Sequence, residues 1–183
     1  YIYFSAEEIQ DGNTLLKCAP PIREKSNNAL LKAALAVDVL DFITTDHSPS
    51  PASLKELESG DFQKAWGGIS GLQFLLPASW TGLRDELSLQ KYIPLLTSRP
   101  AKFLGIDDRK GSLKVGYDAD FVVWSPAEQF TVSEENMFSR HKISPYIDEQ
   151  LFGAVHQTYV NGILVYDHKK VVHQNAGHWI LRK

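Results

Sequence analysis

The sequence predicts an α/β fold followed by a small β module. The first hundred-odd of its 183 residues alternate short apolar runs, rich in β-branched residues, with longer helical patterns. Such alternation is typical of parallel strands connected by helices. After Ile106 the pattern changes to short strands separated by turn residues. We therefore expect two parts, residues 1–106 and residues 107–183, with a boundary between Ile106 and Arg109.

Strand and cap signals define the elements of the first part. Residues 1–4 look like the end of a strand, and Ser5, followed by alanine and two glutamates, is a helix start. Ser26 is expected to cap the next helix, whose leucines and alanines fall on one face. Residues 39–45 are short, mostly apolar and partly β-branched, which predicts a buried parallel strand. That strand should end at a polar tetrad, residues 46–49.

Two short helices are expected at the end of the first part. Pro94 should interrupt the first helical piece, because proline cannot donate a helical hydrogen bond. Ser98 and Pro100 should start the second piece, and Gly105 should end it.

The second part carries the signals of an antiparallel module. Residues 111–113, 121–124 and 158–160 are predicted to be short strands. The dipeptide Asn161-Gly162, followed by a second apolar run, is the strongest hairpin signal in the chain.

Composition excludes several classes of function. The chain is 43% hydrophobic and 22% charged, as expected of a globular protein. A formal net charge of −3 provides no basic surface, so nucleic acid is not an expected partner. The apolar runs are too short to span a bilayer, so no membrane partner is expected either. The single cysteine, Cys18, excludes an internal disulfide and suits a reducing compartment such as the cytoplasm.

The amino terminus begins within an apolar run and lacks methionine. Neither a basic stretch nor a small-residue cleavage site marks a signal peptide. We expect that the chain has been cut upstream, so the absence of a targeting signal does not describe the whole protein.

Asp46 is the first candidate for chemistry. A carboxylate at the carboxyl end of a parallel strand is where barrel enzymes place catalytic groups, and it could bind a metal or accept a proton. The alternative is an Asx-type turn made with Ser48. His47 could orient this carboxylate or bind substrate, or could simply pack in the loop.

Two irregular segments could bind a ligand through their backbones. Residues 17–23 contain Pro20-Pro21, so their backbone groups cannot close into secondary structure and could recognise a planar amide. The glycines after Trp66 permit close approach of a ligand. The alternatives are a surface connection and a bend before a helix. Cys18 is not expected to be a nucleophile, because no nearby histidine suggests a base.

The remaining histidines show no spacing typical of zinc ligands and are expected to be surface or packing residues. They are His141, His156, His168, His173 and His178. Asp118 and Asp120 are expected to form a turn that enters a strand.

Five segments, in this order, resemble the cyclic-amidase branch of the amidohydrolase superfamily, which includes hydantoinases, dihydroorotases and allantoinases. The tetrad Asp-His-Ser-Pro and the turn Gly-Tyr-Asp-Ala-Asp occur across the wider superfamily. The first, third and last segments resemble allantoinases in particular. The five segments are residues 17–23, 46–49, 64–73, 111–124 and 140–146.

This resemblance implies a (β/α)₈ TIM barrel with a small β-sandwich beside it. The chain would supply the carboxyl-terminal part of the barrel, from the end of strand seven through helix eight, and part of the sandwich. The resemblance gives Asp46 the roles of metal ligand and general base. It places the backbone groups of Ala19 and Gly68 against a cyclic substrate, beside His47.

The same resemblance implies a binuclear metal centre, with two zinc ions expected, and hydrolysis of allantoin to allantoate. A paired-histidine motif, a carboxylated lysine and two further histidines would complete the centre, and the sequence lacks those segments. We therefore expect the isolated chain to be inactive. A homo-oligomer, specifically a tetramer, is the implied assembly, and a small-molecule substrate is the implied partner.

Two alternatives remain open at this point. One is a dihydropyrimidinase or hydantoinase, which would share the mechanism and differ in the ring. The other is a non-catalytic scaffold relative, against which Asp46 argues, because a scaffold does not need that carboxylate.

Overall fold

The computed structural model describes residues 1–181. No helix in that range is long and apolar enough to cross a membrane. The helices are α1 (Lys25–Ala36), α2 (Leu75–Leu83), α3 (Leu89–Leu96) and α4 (Ser98–Leu104). The strands are β1 (Phe121–Thr131), β2 (Gln150–Val160), β3 (Ile163–Asp167) and β4 (Lys170–Val171). Short 3₁₀ helices span Ala6–Glu8, Thr14–Leu16, Ala52–Leu54, Leu72–Phe74 and Glu134–Asn136.

The described strands form one antiparallel sheet in the order β1-β2-β3-β4. The predicted hairpin is confirmed, since Val160 pairs with Ile163. Asn161 and Gly162 between them have φ values of 51° and 78°, the left-handed conformation that this dipeptide favours. The predicted strand at residues 111–113 is wrong, because that segment lies against α4 and pairs with no strand.

Two other predicted strands are also wrong. Residues 1–4 and 39–45 adopt no strand in this structure. A strand is defined by a ladder to a neighbour, and no strand within residues 1–181 lies beside either segment. Ile43 instead donates its N–H to the Leu95 carbonyl of α3, at 3.1 Å.

The helix α1 begins one residue before the predicted cap. Ser26 lies inside its first turn, and Glu24 occupies the N-cap position. The Lys25 N–H is bound instead by the Glu7 carboxylate, at 3.0 and 2.9 Å to its two oxygens. The Glu7 side chain, which is distant in sequence, therefore caps the start of α1 in place of the predicted Ser26.

The predicted pair of helices is present as α3 and α4, but the break between them falls at Thr97 and not at Pro94. Pro94 is accommodated within α3, where its missing N–H removes one hydrogen bond from the last turns. The chain leaves helical geometry at Thr97, with φ −126° and ψ −87°. Gly105 ends α4 in the left-handed conformation, at φ 68°, as predicted.

Three apolar clusters hold these elements together. The first joins α1, α2 and α3 and contains Leu35, Trp80, Leu83, Leu87, Tyr92 and Leu95. The second joins α2 to β1 and β2 and contains Phe74, Ala78, Val132, Met137 and Leu151. The third contains Phe4, Leu16 and Ile22, and Cys18 and Ile69 pack against it.

Candidate active site

Three irregular segments that are far apart in sequence meet above the third apolar cluster. We call them the proline loop (residues 17–23), the Asp46 segment (residues 46–49) and the glycine loop (residues 66–71). The Gly68 N–H donates to the Lys17 carbonyl of the proline loop, at 3.1 Å. The Ser48 N–H of the Asp46 segment donates to the Ile69 carbonyl of the glycine loop, also at 3.1 Å. The glycine loop therefore binds the other two segments.

Gly68 lies too close to the Asp46 segment for any side chain. A Cβ atom at this position would be 2.6 Å from the Cβ and 2.7 Å from the carbonyl oxygen of Ser48. At neighbouring Gly67, a Cβ atom would lie 3.7 Å from the Ala19 Cβ, an ordinary contact. The glycine at 68 is thus required by close approach of two backbones.

The backbone of Ala19 and Gly68 presents unused polar groups. Among residues 1–181, the Ala19 N–H and C=O and the Gly68 C=O make no hydrogen bond. The Gly68 N–H, in contrast, is occupied by Lys17. Ala19 is exposed, so its N–H and C=O are open to a ligand, whereas Gly68 is buried and only its carbonyl has no partner among residues 1–181.

Asp46 is exposed and has a φ of 45°, in the left-handed region. Such a conformation is uncommon outside glycine, although aspartate and asparagine tolerate it best. Outliers of this kind cluster at functional sites, where the surrounding structure holds them.

His47 is fixed by a contact to the start of the 3₁₀ helix that follows the glycine loop. Its Nδ1 accepts the Leu72 N–H at 3.1 Å. A neutral imidazole that accepts at Nδ1 carries its proton on Nε2. His47 is thus arranged to donate a hydrogen bond from its exposed Nε2.

Tyr1 lies at the same site, and sequence reasoning missed it because residues 1–4 were interpreted as a strand end. Its hydroxyl donates to the Pro20 carbonyl at 2.5 Å. Partial burial raises the pKa of the Tyr1 phenol to about 12, and the neighbouring Cys18 and Asp46 add to that rise. The Tyr1 side chain therefore contacts the proline loop through its hydroxyl group.

Lys55 is the second residue that sequence reasoning missed, because a lone lysine in a polar stretch carries no distinguishing pattern. It is 4% exposed. Its ammonium donates to the carbonyls of Thr14 and Leu15 at 3.3 Å, Lys17 at 3.1 Å and Trp66 at 3.2 Å. Burial lowers the pKa of Lys55 to about 8, opposed by Cys18 and assisted by Lys17.

Within residues 1–181, the side chains of the other histidines make no hydrogen bond to these loops. The His156 Nε2 is 2.9 Å from the Ser125 hydroxyl and 3.1 Å from the Glu128 carboxylate. The His168 Nδ1 is 2.8 Å from the Asp167 carboxylate. His141 is half-buried, and His173 and His178 are exposed.

A family model described as the amidohydrolase family matches residues 19–166, which include the Asp46 segment, the glycine loop and all but the first two residues of the proline loop. The chain belongs to the amidohydrolase family.

This amidohydrolase chain is similar to proteins named as allantoinases. It is 42% identical over 168 residues to a probable allantoinase 2 of Dictyostelium discoideum, covering 88% of this chain and 33% of that protein. It is 42% identical over 186 residues to a probable allantoinase of Oryza sativa subsp. japonica, covering 100% of this chain and 36% of that protein. The chain thus spans about a third of the length of these curated relatives.

The fold is similar to that of a solved hydantoinase. The L-hydantoinase (dihydropyrimidinase) from Arthrobacter aurescens matches with a TM-score of 0.89 and 30% identity. The match covers 96% of this amidohydrolase chain and 40% of that chain. The predicted fold class, the carboxyl-terminal part of a (β/α)₈ barrel with part of a small β-sandwich, is confirmed.

The described residues do not fit a complete metal site. Within residues 1–181, no three side chains of His, Cys, Asp or Glu are grouped so that they could hold a metal ion. Catalytic zinc takes about three protein ligands. Asp46 could supply one carboxylate, and the other ligands would have to come from elsewhere.

Proposed function

We propose that the whole protein to which this chain contributes hydrolyses the ring amide of allantoin to give allantoate, in purine catabolism. The observation that carries the proposal is the contact between the three segments that contain Asp46, Ala19 and Gly68. The names of the relatives, allantoinases at 42% identity, support the choice of substrate.

The backbone groups match the polar edge of a cyclic ureide. Such a ring alternates C=O and N–H groups. The Ala19 N–H can donate to a ring carbonyl, and the Ala19 and Gly68 carbonyls can accept from ring N–H groups. Backbone groups held in irregular loops recognise a planar ring without needing a charged side chain.

Asp46 and His47 supply the proton chemistry in this proposal. Hydrolysis adds one water across the ring C–N bond and yields an N–H group and a carboxylic acid, which loses its proton to solvent. The Asp46 carboxylate accepts a proton from the attacking water and returns it to the departing nitrogen. His47, with its proton on Nε2, donates to a ring oxygen.

Several features of the whole protein belong to the same proposal. We propose a divalent metal centre, with two zinc ions, in which Asp46 is one ligand and the others lie outside residues 1–181. We propose that residues 1–106 belong to the barrel and residues 107–183 to the β-sandwich. A homotetramer is the proposed assembly, which native mass spectrometry of the whole protein would test.

A second candidate is a hydantoinase or dihydropyrimidinase. The match to the Arthrobacter aurescens enzyme, with a TM-score of 0.89, favours it. Allantoin differs from a simple hydantoin by an extra ureido group, so a panel of allantoin, hydantoins and dihydropyrimidines distinguishes the two candidates. A scaffold relative would turn over none of them.

The test is ring opening of allantoin by the whole protein, loaded with metal, beside its Asp46→Asn variant. We expect turnover in the wild type and a loss of at least about a hundredfold in the variant, because general acid–base catalysis contributes about that much or more. Circular dichroism should show the same fold in both proteins. Near-normal turnover by a folded Asp46→Asn protein would refute the role of Asp46.

A further inference from the structure

Lys55 connects the two loops that present the ring-binding groups. It comes from the segment between the Asp46 segment and the glycine loop, just after the 3₁₀ helix Ala52–Leu54. Its ammonium contacts the Lys17 carbonyl of the proline loop and the Trp66 carbonyl of the glycine loop, at 3.1 and 3.2 Å. One buried charge therefore binds the backbone of both loops.

The Lys17 carbonyl is the centre of this connection. It accepts from the Lys55 ammonium and also from the Gly68 N–H, both at 3.1 Å. Ala19 lies two residues beyond this carbonyl, beside Gly67. The position of Ala19 relative to Gly68 thus depends on a carbonyl that Lys55 holds.

The partners of Lys55 are unusual for a buried lysine. Within residues 1–181, no carboxylate forms an ion pair with it, and its hydrogen bonds go to backbone carbonyls. Burying an ammonium costs free energy, which carbonyl dipoles offset only in part. An apolar side chain in this space would avoid that cost, but it would leave the Leu15 and Trp66 carbonyls without a donor within residues 1–181.

We propose that Lys55 is a positioning residue for ring recognition: it fixes the proline loop against the glycine loop so that the Ala19 and Gly68 backbone groups face one ligand. This inference rests on the proposed function for its ligand, a cyclic ureide or cyclic imide. It does not make Lys55 a catalytic residue, because its ammonium is enclosed by the four carbonyls.

The first test compares steady-state kinetics of the whole protein with those of Lys55→Met and the milder Lys55→Gln. We expect KM for allantoin to rise about tenfold while kcat stays within about threefold, because loss of uniform binding raises KM alone. Lys91→Met is the matched control, since Lys91 is exposed and reaches only the Ala36 carbonyl of α1. A purely structural role for Lys55 would lower the melting temperature without moving KM.

The second test is amide hydrogen exchange followed by mass spectrometry, which needs no activity. Exchange should become faster in residues 17–19 and 66–68 of the Lys55 variants and stay unchanged in Lys91→Met. If the wild type opens no cyclic amide, the proposed function fails, and exchange alone decides the role of Lys55.

Three results would overturn the proposal. One is a KM in both Lys55 variants equal to that of Lys91→Met in an active enzyme. Another is unchanged exchange in the two loops. The third is failure of both variants to fold, which would make Lys55 a determinant of folding and not of ring recognition.

Discussion

In Asp46, an unusual backbone conformation coincides with the role that we propose for its side chain. Its φ of 45° favours aspartate and asparagine over other non-glycine residues. Asp46→Asn therefore removes the negative charge while keeping a side chain that tolerates the conformation. Asp46→Ala would change both properties at once, so asparagine is the better probe of proton transfer.

Gly68 offers a test of the close approach between the glycine loop and the Asp46 segment. A Cβ atom in Gly68→Ala would lie 2.6 Å from the Ser48 Cβ, so one of the two segments must move. We expect the free energy of unfolding to fall by about 1–3 kcal/mol, the usual cost of overpacking. We also expect KM for allantoin to rise. Urea denaturation and steady-state kinetics of the whole protein measure the two effects.

Gly67→Ala is the control for Gly68→Ala. Its added Cβ atom would lie 3.7 Å from the Ala19 Cβ, which is a normal van der Waals distance. The same chemical change one residue earlier should therefore leave stability nearly unaltered. Equal losses in the two variants would show that the clash with Ser48 is not the cause.

At the level of single residues, the sequence indicated the proposed catalytic and ring-binding residues but not the residues that contact their loops. Asp46, Ala19 and Gly68 stood in recognisable motifs, and the structure places their segments together. Lys55 and Tyr1 acquire their contacts only through tertiary structure. A lysine bound by carbonyls from three segments leaves no periodic or motif signal in its own neighbourhood.

At the level of elements, predictions that depend on the conformation of one or two residues were more reliable than predictions of strands, which need a neighbouring strand. The Asn161-Gly162 hairpin and the Gly105 helix end depend on the conformation of one or two residues, and both predictions are confirmed. The strand predicted at residues 39–45 depends on neighbouring strands, which residues 1–181 do not contain. Its apolar, β-branched sequence is consistent with a strand only where those neighbours exist.

The turn that leads into β1 carries a pH-dependent contribution to stability. The Asp118 carboxylate lies 2.8 Å from the Lys110 ammonium and 2.7 Å from the Arg109 guanidinium. These contacts, Lys110 first, hold the pKa of Asp118 below its usual value of 3.8. A lowered pKa stabilises the folded state above the ordinary pKa, and this contribution is lost as the pH falls through the folded-state value.

We therefore expect the stability difference between the wild type and Asp118→Asn to be constant from about pH 5 to 7. It should shrink below about pH 4, where the wild-type carboxylate gains its proton. Urea denaturation at several pH values measures the difference. Since the side-chain contacts of Asp118 go to Arg109 and Lys110 and not to the site loops, KM at pH 7 should not change. A difference that is independent of pH would show that the ion pairs contribute nothing.

At the scale of the molecule, both parts leave large apolar side chains exposed, among them Val115 and Trp179 in the second part. The clusters around α2 bury their aromatic residues well. Large apolar side chains of the first part nevertheless remain open to solvent, among them Val39 at 70% exposure and Phe103 at 73%. Val39 begins the segment that the sequence predicts to be a buried strand. Exposed apolar side chains next to an unpaired segment indicate a surface that another part of a barrel would cover.

The isolated 183-residue chain should therefore neither fold cooperatively nor hydrolyse allantoin. Its site segments supply Asp46, Ala19 and Gly68, but residues 1–181 contain no group of three side chains able to hold a metal ion. We expect a broad thermal transition with aggregation in calorimetry, and less than one zinc ion retained per chain after dialysis. The whole protein is the control and should retain metal and activity. A sharp, reversible transition of the isolated chain would contradict the first expectation, and stoichiometric zinc that is lost on Asp46→Asn would contradict the second.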